Sequence, residues 1–147
     1  MEPANKLRGS KITVNFKKPR RSVAGFLGMV NLIRKNVMKV MKKDKAEGTI
    51  SISLVGDKLV RKLNREYRRK DKTTDVLSFN INENGLLGDI YISLPQARRQ
   101  AREYRVTLGE ELTRLAVHGT LHVLGYTHKE MLALRSGAKN GEKCGLN

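Results

Sequence analysis

The sequence predicts a single α+β domain with a small mixed β-sheet of about four strands packed with about four to five helices. Segments in which apolar and polar residues alternate indicate half-buried strands, and segments with apolar residues three or four positions apart indicate amphipathic helices. The length of 147 residues suits one hydrophobic core. We place this domain at residues 1–135 and expect residues 136–147, which are rich in glycine and lysine, to be a flexible tail.

The first half of the chain predicts two strands, each followed by a helix. "KITVNF" (11–16) has the alternation of a strand, and apolar residues at helical spacing predict an amphipathic helix over 26–41. "TISISLV" (49–55) alternates strictly, which predicts a strand with one apolar face. Asp57 is the expected N-cap of the second helix.

The second half predicts two strands and then two helices. "TDVLSFNI" (74–81) and "GDIYISL" (88–94) are β-rich and flank "NENGLL", which indicates an antiparallel hairpin or neighbouring strands. A helix is expected from Pro95 to about Tyr104, because proline suits the first turn of a helix. The last helix is expected over 109–124. The predicted order is therefore β-α-β-α-β-β-α-α.

The charge predicts a polyanionic partner. Thirty lysines and arginines against fourteen acidic residues give a net charge of +16 and a pI near 10.3. The excess is concentrated in three runs, at 17–21, 61–72 and 97–105. Lysine and arginine bound to phosphates release condensed counterions, so such runs are typical of proteins that bind nucleic acid. The alternative is a solvated, ion-rich surface without a polyanionic partner.

The composition also favours a cytoplasmic protein. The single cysteine, Cys144, excludes an internal disulfide, which fits a reducing compartment. No apolar run approaches the roughly 20 residues that span a bilayer, so no membrane partner is expected. The basic first 25 residues lack the apolar core of a secretory signal, although a weak transit-peptide interpretation stays open.

All three histidines of the chain lie in "LAVHGTLHVLGYTH" (115–128), at His118, His122 and His128. Residues four apart share one face of a helix, so His118 and His122 can face one metal ion. Gly125 can end that helix in a left-handed conformation and return His128 toward the first two. Three ligands with one open position are typical of a catalytic zinc site. The alternative is three histidines that cluster without binding a metal.

Gly119 disfavours peptidase chemistry at this site. The spacing H-x-x-x-H-x-x-G-x-x-H also occurs in metzincin proteases, in which the residue after the first histidine is the glutamate that acts as general base. Glycine occupies that position here. The pattern therefore favours a zincin-like metal helix that lacks the base a peptidase of this type needs.

The motifs together resemble the YbeY endoribonucleases, the rRNA maturation factor family. "HGTLHVLGYTH" (118–128) is similar to the family signature H-G-x-L-H-L-x-G-Y-D-H. "LNREYRRKDKTTDVLSF" (63–79) is similar to the block L-N-x-x-Y-R-x-K-D-x-P-T-D-V-L-S-F, and "LLGDIYIS" (86–93) is similar to the L-G-D-I strand. The resemblance extends from about Leu54 to His128 in the family's order.

The resemblance implies a metal-dependent, single-strand-specific endoribonuclease that acts in 16S rRNA maturation and ribosome quality control. His118, His122 and His128 would bind one Zn²⁺ per chain, and Arg68 and His118 would be the catalytic residues. The implied partners are the single-stranded 16S rRNA precursor and the ribosome or its small subunit, with no specificity for DNA. Three imidazoles also accept Ni²⁺ or Fe²⁺, so the native metal stays open.

Two positions depart from the family pattern. Thr127 replaces the aspartate of G-Y-D-H, which is expected to alter hydrogen bonding near a ligand histidine and thereby metal affinity. Thr73 replaces the proline of P-T-D. The acidic C-terminal helix that follows the last histidine in the family is expected to be shortened or absent here.

The mechanism we expect is hydrolysis of an RNA phosphodiester, with a metal-activated water and Arg68 bound to the phosphate. Asp75 is expected to orient a ligand or a loop, or to serve as an N-cap or in a turn. The choice between attack by water and attack by the 2′-hydroxyl stays open. Two alternatives are an RNA-binding ribosome-assembly factor with a structural metal and, less favoured, a metallopeptidase with another base.

Overall fold

Nine elements of secondary structure follow one another in the described part of the chain, residues 9–16 and 23–135 of a computed structural model. They are β1 (Ser10–Asn15), α1 (Val23–Lys43), β2 (Gly48–Val55), α2 (Asp57–Arg68), β3 (Val76–Glu83), β4 (Leu86–Ser93), α3 (Leu94–Tyr104), α4 (Leu108–Val123) and α5 (His128–Arg135). The basic run at 17–21 and the expected tail at 136–147 lie outside the described residues.

The four strands form one mixed sheet in the order β1-β2-β4-β3. β1 and β4 both pair with β2 in parallel, and β3 pairs with β4 in antiparallel. The β3–β4 hairpin turns at Asn84 and Gly85, which both have positive φ, as an Asn-Gly turn favours. The predicted α+β class, the mixed sheet and the antiparallel pairing are confirmed, and β3 lies at an edge of the sheet.

The hydrophobic core lies between one face of the sheet and the helices α1 and α4. The strict alternation predicted for β2 is present, since every second residue of this strand is buried. Isoleucines of β2 and β4 meet apolar residues of both helices. The fully buried members include Ile50, Ile52, Ile90, Ile92, Ile33, Val37, Met41, Leu112 and Ala116. Burying such a side chain contributes about 1.5–3 kcal/mol, so this layer fixes α4 on the sheet.

Asp57 does not cap α2, and that prediction was wrong. Gly56 is the N-cap, and Asp57 is the first residue of the helix. Its carboxylate instead accepts hydrogen bonds from Ser93 Oγ at 2.5 Å and Thr73 Oγ1 at 3.3 Å, and pairs with Arg99 at 3.1 Å. The Asp57 carboxylate is therefore bound by side chains of β4, the 69–75 loop and α3, and not by the backbone amides at the start of α2.

One further boundary and one element differ from the sequence-based expectations. Residues 74 and 75, expected in a strand, precede β3, which begins at Val76. The predicted order ended with the helix that is α4 here, whereas the described residues include one more helix, the eight residues of α5 (His128–Arg135). None of the helices in the described ranges is long and apolar enough to cross a membrane.

Candidate active site

The structure brings the three histidines together. His118 and His122 lie one turn apart on α4, and His128 is the first residue of α5. The ring centroid of His122 lies 4.8 Å from that of His118 and 4.7 Å from that of His128, and the remaining centroid distance is 6.1 Å. One nitrogen from each ring lies within 4.8 Å of the others. This donor set fits a metal ion that prefers imidazole ligands.

The turn between α4 and α5 returns the chain as the sequence predicts. Gly125 has φ +97°, a conformation that side chains disfavour. Its amide donates to the carbonyl of His122 at 3.0 Å, and the amide of Tyr126 donates to that of Leu121 at 2.9 Å. Tyr126 Oη also donates to Asp44 Oδ1 at 2.8 Å, which ties the turn to the end of α1.

Thr127 starts α5 and thereby places His128. Its amide donates to Glu130 Oε1 at 2.8 Å, and its Oγ1 accepts from the amide of Glu130 at 3.1 Å. These reciprocal bonds form a capping box. The residue that departs from the family's aspartate therefore keeps an N-cap function that aspartate also performs.

Glycine at position 119 sets the close packing of α4 on the sheet. A Cβ atom there would lie 2.8 Å from Ile90 Cγ2 and 2.9 Å from Ser78 Oγ. Gly88 of β4 is equally tight, because its Cβ would lie 2.6 Å from Val123 Cγ2. Since both positions exclude a side chain, α4 approaches β3 and β4 closely. The site therefore has no room for a glutamate after the first histidine.

The histidines line a cavity of about 370 Å³ beside strand β3. The other polar side chains around it are Arg68, Thr74, Asp75, Ser78 and Asn80. Arg68 Nη2 donates to the main-chain carbonyl of Ser78 at 2.9 Å, and its Cζ lies 5.9 Å from the ring centroid of Phe79. The predicted catalytic arginine is thus at the border of the histidine cavity.

The chain after Arg68 is fixed by the buried Asn64. Arg69 ends α2 in the left-handed conformation, with φ 57°. The side-chain Nδ2 of Asn64 donates to the main-chain carbonyl of Lys72 at 2.9 Å. The main-chain carbonyl of Asn64 accepts from the amide of Lys70. These bonds hold the segment between α2 and β3, so Arg68 projects from a fixed helix end.

Arg68 is available to bind an anion, because the nearby carboxylate pairs with other arginines. Asp71 pairs with Arg61 at 2.9 Å and with Arg65 at 3.3 Å. Over the described residues, Arg68 is in no ion pair with a carboxylate. A guanidinium has five N–H donors, of which the bond to Ser78 uses one.

The electrostatics keep His122 neutral. Burial, together with the neighbouring His118, His128 and Arg68, lowers the pKa of His122 to about 4. A histidine must be neutral to bind a metal ion, and at pH 7 His122 meets this requirement.

Asp75 lies at the cavity but is not in the histidine group. Its main-chain carbonyl accepts from the amide of Ser93, which anchors the loop.

Thr74, Ser78 and Asn80 also line the cavity, although the sequence motifs did not predict them as site residues. A signal for two of them exists in "VLSFNI", because Ser78 and Asn80 share one face of a strand. The sequence does not show that this face of β3 lies next to the histidines, because that depends on the packing of α4 against the strand.

Comparisons with known proteins agree with this arrangement. A family model described as "Endoribonuclease YbeY" matches residues 16–136. A protein named Endoribonuclease YbeY from Anaeromyxobacter sp. (strain Fw109-5) is 50% identical over 99 residues, 65% of this chain and 52% of its own length. A protein of the same name from Carboxydothermus hydrogenoformans is 40% identical over 118 residues, 78% of this chain and 82% of its own. This chain thus spans about half the length of the first relative and four fifths of the second.

A solved structure shares the fold. The solution structure of a Thermotoga maritima protein aligns with 91% of this chain and 86% of its own, with a TM-score of 0.56 and 25% sequence identity. The alignment extends over nearly all of the α+β unit that positions the histidines.

Proposed function

The chain belongs to the YbeY endoribonuclease family, and from that premise we propose that it is a metal-dependent endoribonuclease that cleaves single-stranded RNA. The observation that carries this proposal is the shared cavity of the three histidines and Arg68. A ligand set for a metal and a donor for a phosphate are the two components that metal-assisted phosphodiester cleavage requires.

His118, His122 and His128 would hold one Zn²⁺ per chain, with Ni²⁺ or Fe²⁺ as the alternatives. The donor set supports this assignment, because it consists of imidazoles alone and His122 is neutral at pH 7. The chemistry that such an ion supplies when bound is a lowered pKa for a coordinated water, toward about 7. His118 is a catalytic residue in this proposal through its role as a ligand.

Arg68 would bind and orient the scissile phosphate. The hydrogen bond to Ser78 fixes the guanidinium at the edge of the cavity, and the remaining N–H groups form a planar fork suited to phosphate oxygens. A positioned cation stabilises the charge that develops as phosphorus is attacked. The polar side chains of Ser78 and Asn80 line the same cavity and are available to the flanking ribose.

The proposed substrate is the single-stranded 16S rRNA precursor, on the ribosome or its small subunit in the cytoplasm, with a role in rRNA maturation and ribosome quality control. The net charge of +16 supports a large polyanionic partner. Arginines are also exposed on α3 and directly after it, at Arg98, Arg99, Arg102 and Arg105. Contacts of this kind recognise the phosphate backbone, and no feature of the site favours DNA.

The alternative of an assembly factor with a structural metal finds less support. Structural zinc sites use four protein ligands. In the ranges that the structure describes, only three residues join the histidine group. A metallopeptidase is disfavoured by Gly119, whose position has no room for the glutamate base.

Cleavage of a structureless RNA oligomer tests the proposal. Metal-loaded protein is compared with a His122→Ala variant purified in the same way, each with and without chelator. We expect cleavage by the wild type alone, its loss in chelator and its recovery when Zn²⁺ is restored. Equal cleavage by both proteins would indicate a contaminating nuclease. RNA binding and metal content without cleavage would overturn the nuclease assignment in favour of the assembly factor. The chemical ends of the products distinguish attack by water from attack by the 2′-hydroxyl.

A further inference from the structure

Three aromatic side chains form a row on the face of the sheet opposite α4. Tyr67 comes from the last turn of α2, Phe79 from β3 and Tyr91 from β4. The ring centroids of Tyr67 and Phe79 are 5.5 Å apart at 70°, and those of Phe79 and Tyr91 are 6.0 Å apart at 74°. The chain has only seven phenylalanines and tyrosines, so nearly half of them are in this row.

The end of the row is open to solvent. Tyr67 is 66% exposed, more than any other large apolar side chain of the described residues. Phe79 and Tyr91 are partly buried beneath it. The edge-on contact with Phe79 supports the Tyr67 ring from below while the rest of the ring stays accessible. Such a rigid, supported aromatic is suited to stack against a flat partner.

Arg68 connects the aromatic row with the histidine cavity. It follows Tyr67 in the chain, lies over the ring of Phe79 and lines the cavity. Phe79 and Ser78 are consecutive residues of the edge strand β3, so their side chains point to opposite faces. The aromatic row and the cavity therefore lie on the two faces of one strand, and the Arg68 guanidinium lies between them.

We propose that Tyr67, supported by Phe79, is the stacking site for an unpaired base next to the phosphate that Arg68 binds. The inference rests on the proposed ribonuclease function and assigns a further binding residue to it. Single-stranded nucleic acids are bound by basic surfaces that carry aromatic side chains, because every base has a face that can stack. The basic surroundings of Tyr67 fit this partner: Arg69 and Lys70 are exposed directly after Arg68.

This site accounts for a preference for single strands. A base inside a duplex is already stacked and paired, so placing it on Tyr67 would require unstacking it. An unpaired base has no such cost. If Tyr67 served only to hold α2 against the sheet, an apolar side chain of similar size would replace it.

Binding of a fluorescent, structureless RNA oligomer to the full chain tests the site, by anisotropy with and without Zn²⁺. The variants are Tyr67→Ala, Tyr67→Leu and Tyr67→Phe, with Tyr104→Ala as the matched control because Tyr104 is also exposed, at 52%. Loss of one stacked base weakens binding roughly 5- to 150-fold. We expect that loss in Tyr67→Ala, most of it in Tyr67→Leu, and wild-type affinity in Tyr67→Phe and the control. Equal affinity of the leucine variant and the wild type would overturn the stacking site.

A second measurement uses RNA in which one position at a time is abasic. At the position that meets Tyr67, base removal should weaken wild-type binding and leave Tyr67→Ala unchanged, so that the two losses are not additive. Additive losses at every position would overturn the proposal. Failure of the ribonuclease function is distinguishable, since a protein that binds and stacks RNA without cleaving it would keep the Tyr67 effect. A protein that cleaves RNA with no Tyr67 effect would lose only this inference.

Discussion

Arg68 Nη2 donates a 2.9 Å hydrogen bond to the main-chain carbonyl of Ser78, which joins the last turn of α2 to the edge strand of the sheet. The side chain is exposed, and its Cζ lies 5.9 Å from the ring centroid of Phe79. A long, mobile side chain is thereby confined to one position beside the histidines. Pre-positioned donors of this kind stabilise developing charge without reorganisation during the reaction.

Replacing Arg68 with alanine is expected to lower kcat/KM for RNA cleavage by about 10²- to 10³-fold, as is typical for removal of one positioned donor. Arg68→Lys should recover only part of this loss, because an ammonium group lacks the planar fork that fits both Ser78 and a phosphate. Steady-state cleavage of a defined oligomer by the two variants measures the effect.

Thermal unfolding and metal content provide the controls for Arg68. Because the side chain is exposed, metal content should match the wild type, and stability should fall by no more than about 1 kcal/mol, the contribution of the one hydrogen bond to Ser78. Full activity of the Arg68→Lys variant would contradict the requirement for a planar guanidinium. It would show that a positive charge at this position is sufficient. Loss of bound metal in Arg68→Ala would instead indicate a role in holding the histidines.

The local parts of the site could be predicted from the sequence because their geometry depends on short spacings. Two histidines four residues apart on a helix share a face wherever the helix lies, and Gly125 adopts the expected left-handed turn. The strict alternation of β2 likewise fixed its buried face. In these cases the backbone period alone determines where the side chains point.

The remaining parts depend on contacts between distant segments. The sequence separates Tyr126 from Asp44 by 82 residues, yet their side chains are hydrogen bonded. Asp57 has the residue type of an N-cap, but its carboxylate binds the side chains of Ser93 and Arg99 and caps no amide of α2. The neighbourhood of Ser78 and the histidines requires the position of α4 on the sheet, which Gly119 and Gly88 set by close packing.

Gly119→Ala is expected to destabilise the protein by about 1–3 kcal/mol, the usual cost of overpacking. The added methyl group would meet Ile90 and Ser78 at less than 3 Å, so α4 must move and carry two of the histidines with it. Denaturant unfolding measures the loss of stability, and a chelator competition measures the accompanying loss of metal affinity.

Gly28→Ala is the matched control for that substitution. Gly28 lies within α1 and has no atom within 4 Å of an added Cβ. Alanine there should stabilise the protein by about 0.5–1 kcal/mol through helix propensity. If both alanine variants changed stability in the same direction, close packing at position 119 would not be the cause.

Thr127→Ala is expected to weaken metal binding by roughly fivefold, which corresponds to about 1 kcal/mol for a lost N-cap. The capping box with Glu130 orders the first turn of α5, and His128 is in that turn. Thr127→Asp should bind metal at least as tightly as the wild type, because aspartate is an N-cap as good as threonine. A metal titration of the three proteins makes this comparison. Equal affinities in all three would show that His128 does not depend on the cap.

The stability contributed by Asp57 is expected to depend on pH. The hydrogen bond from Ser93 is the largest cause that holds the pKa of Asp57 below its usual value of 3.8, followed by the hydrogen bond and charge of Arg99. Because the folded state favours the charged carboxylate, its contribution is present above the unfolded pKa and is lost as the pH falls through the lower, folded pKa.

Asp57→Asn isolates this contribution, since asparagine keeps the shape and one acceptor but does not titrate. The variant should be less stable by roughly 0.5–1 kcal/mol at pH 7, the range for a partly exposed ion pair. The difference should shrink as the pH falls through the lowered, folded pKa of Asp57 and the carboxylate becomes protonated. Asp71, whose pKa is also lowered, titrates equally in both proteins and cancels in the comparison. Denaturant unfolding from pH 2.5 to 7 measures the difference, and a constant difference over that range would mean that the charge of Asp57 has no part in it.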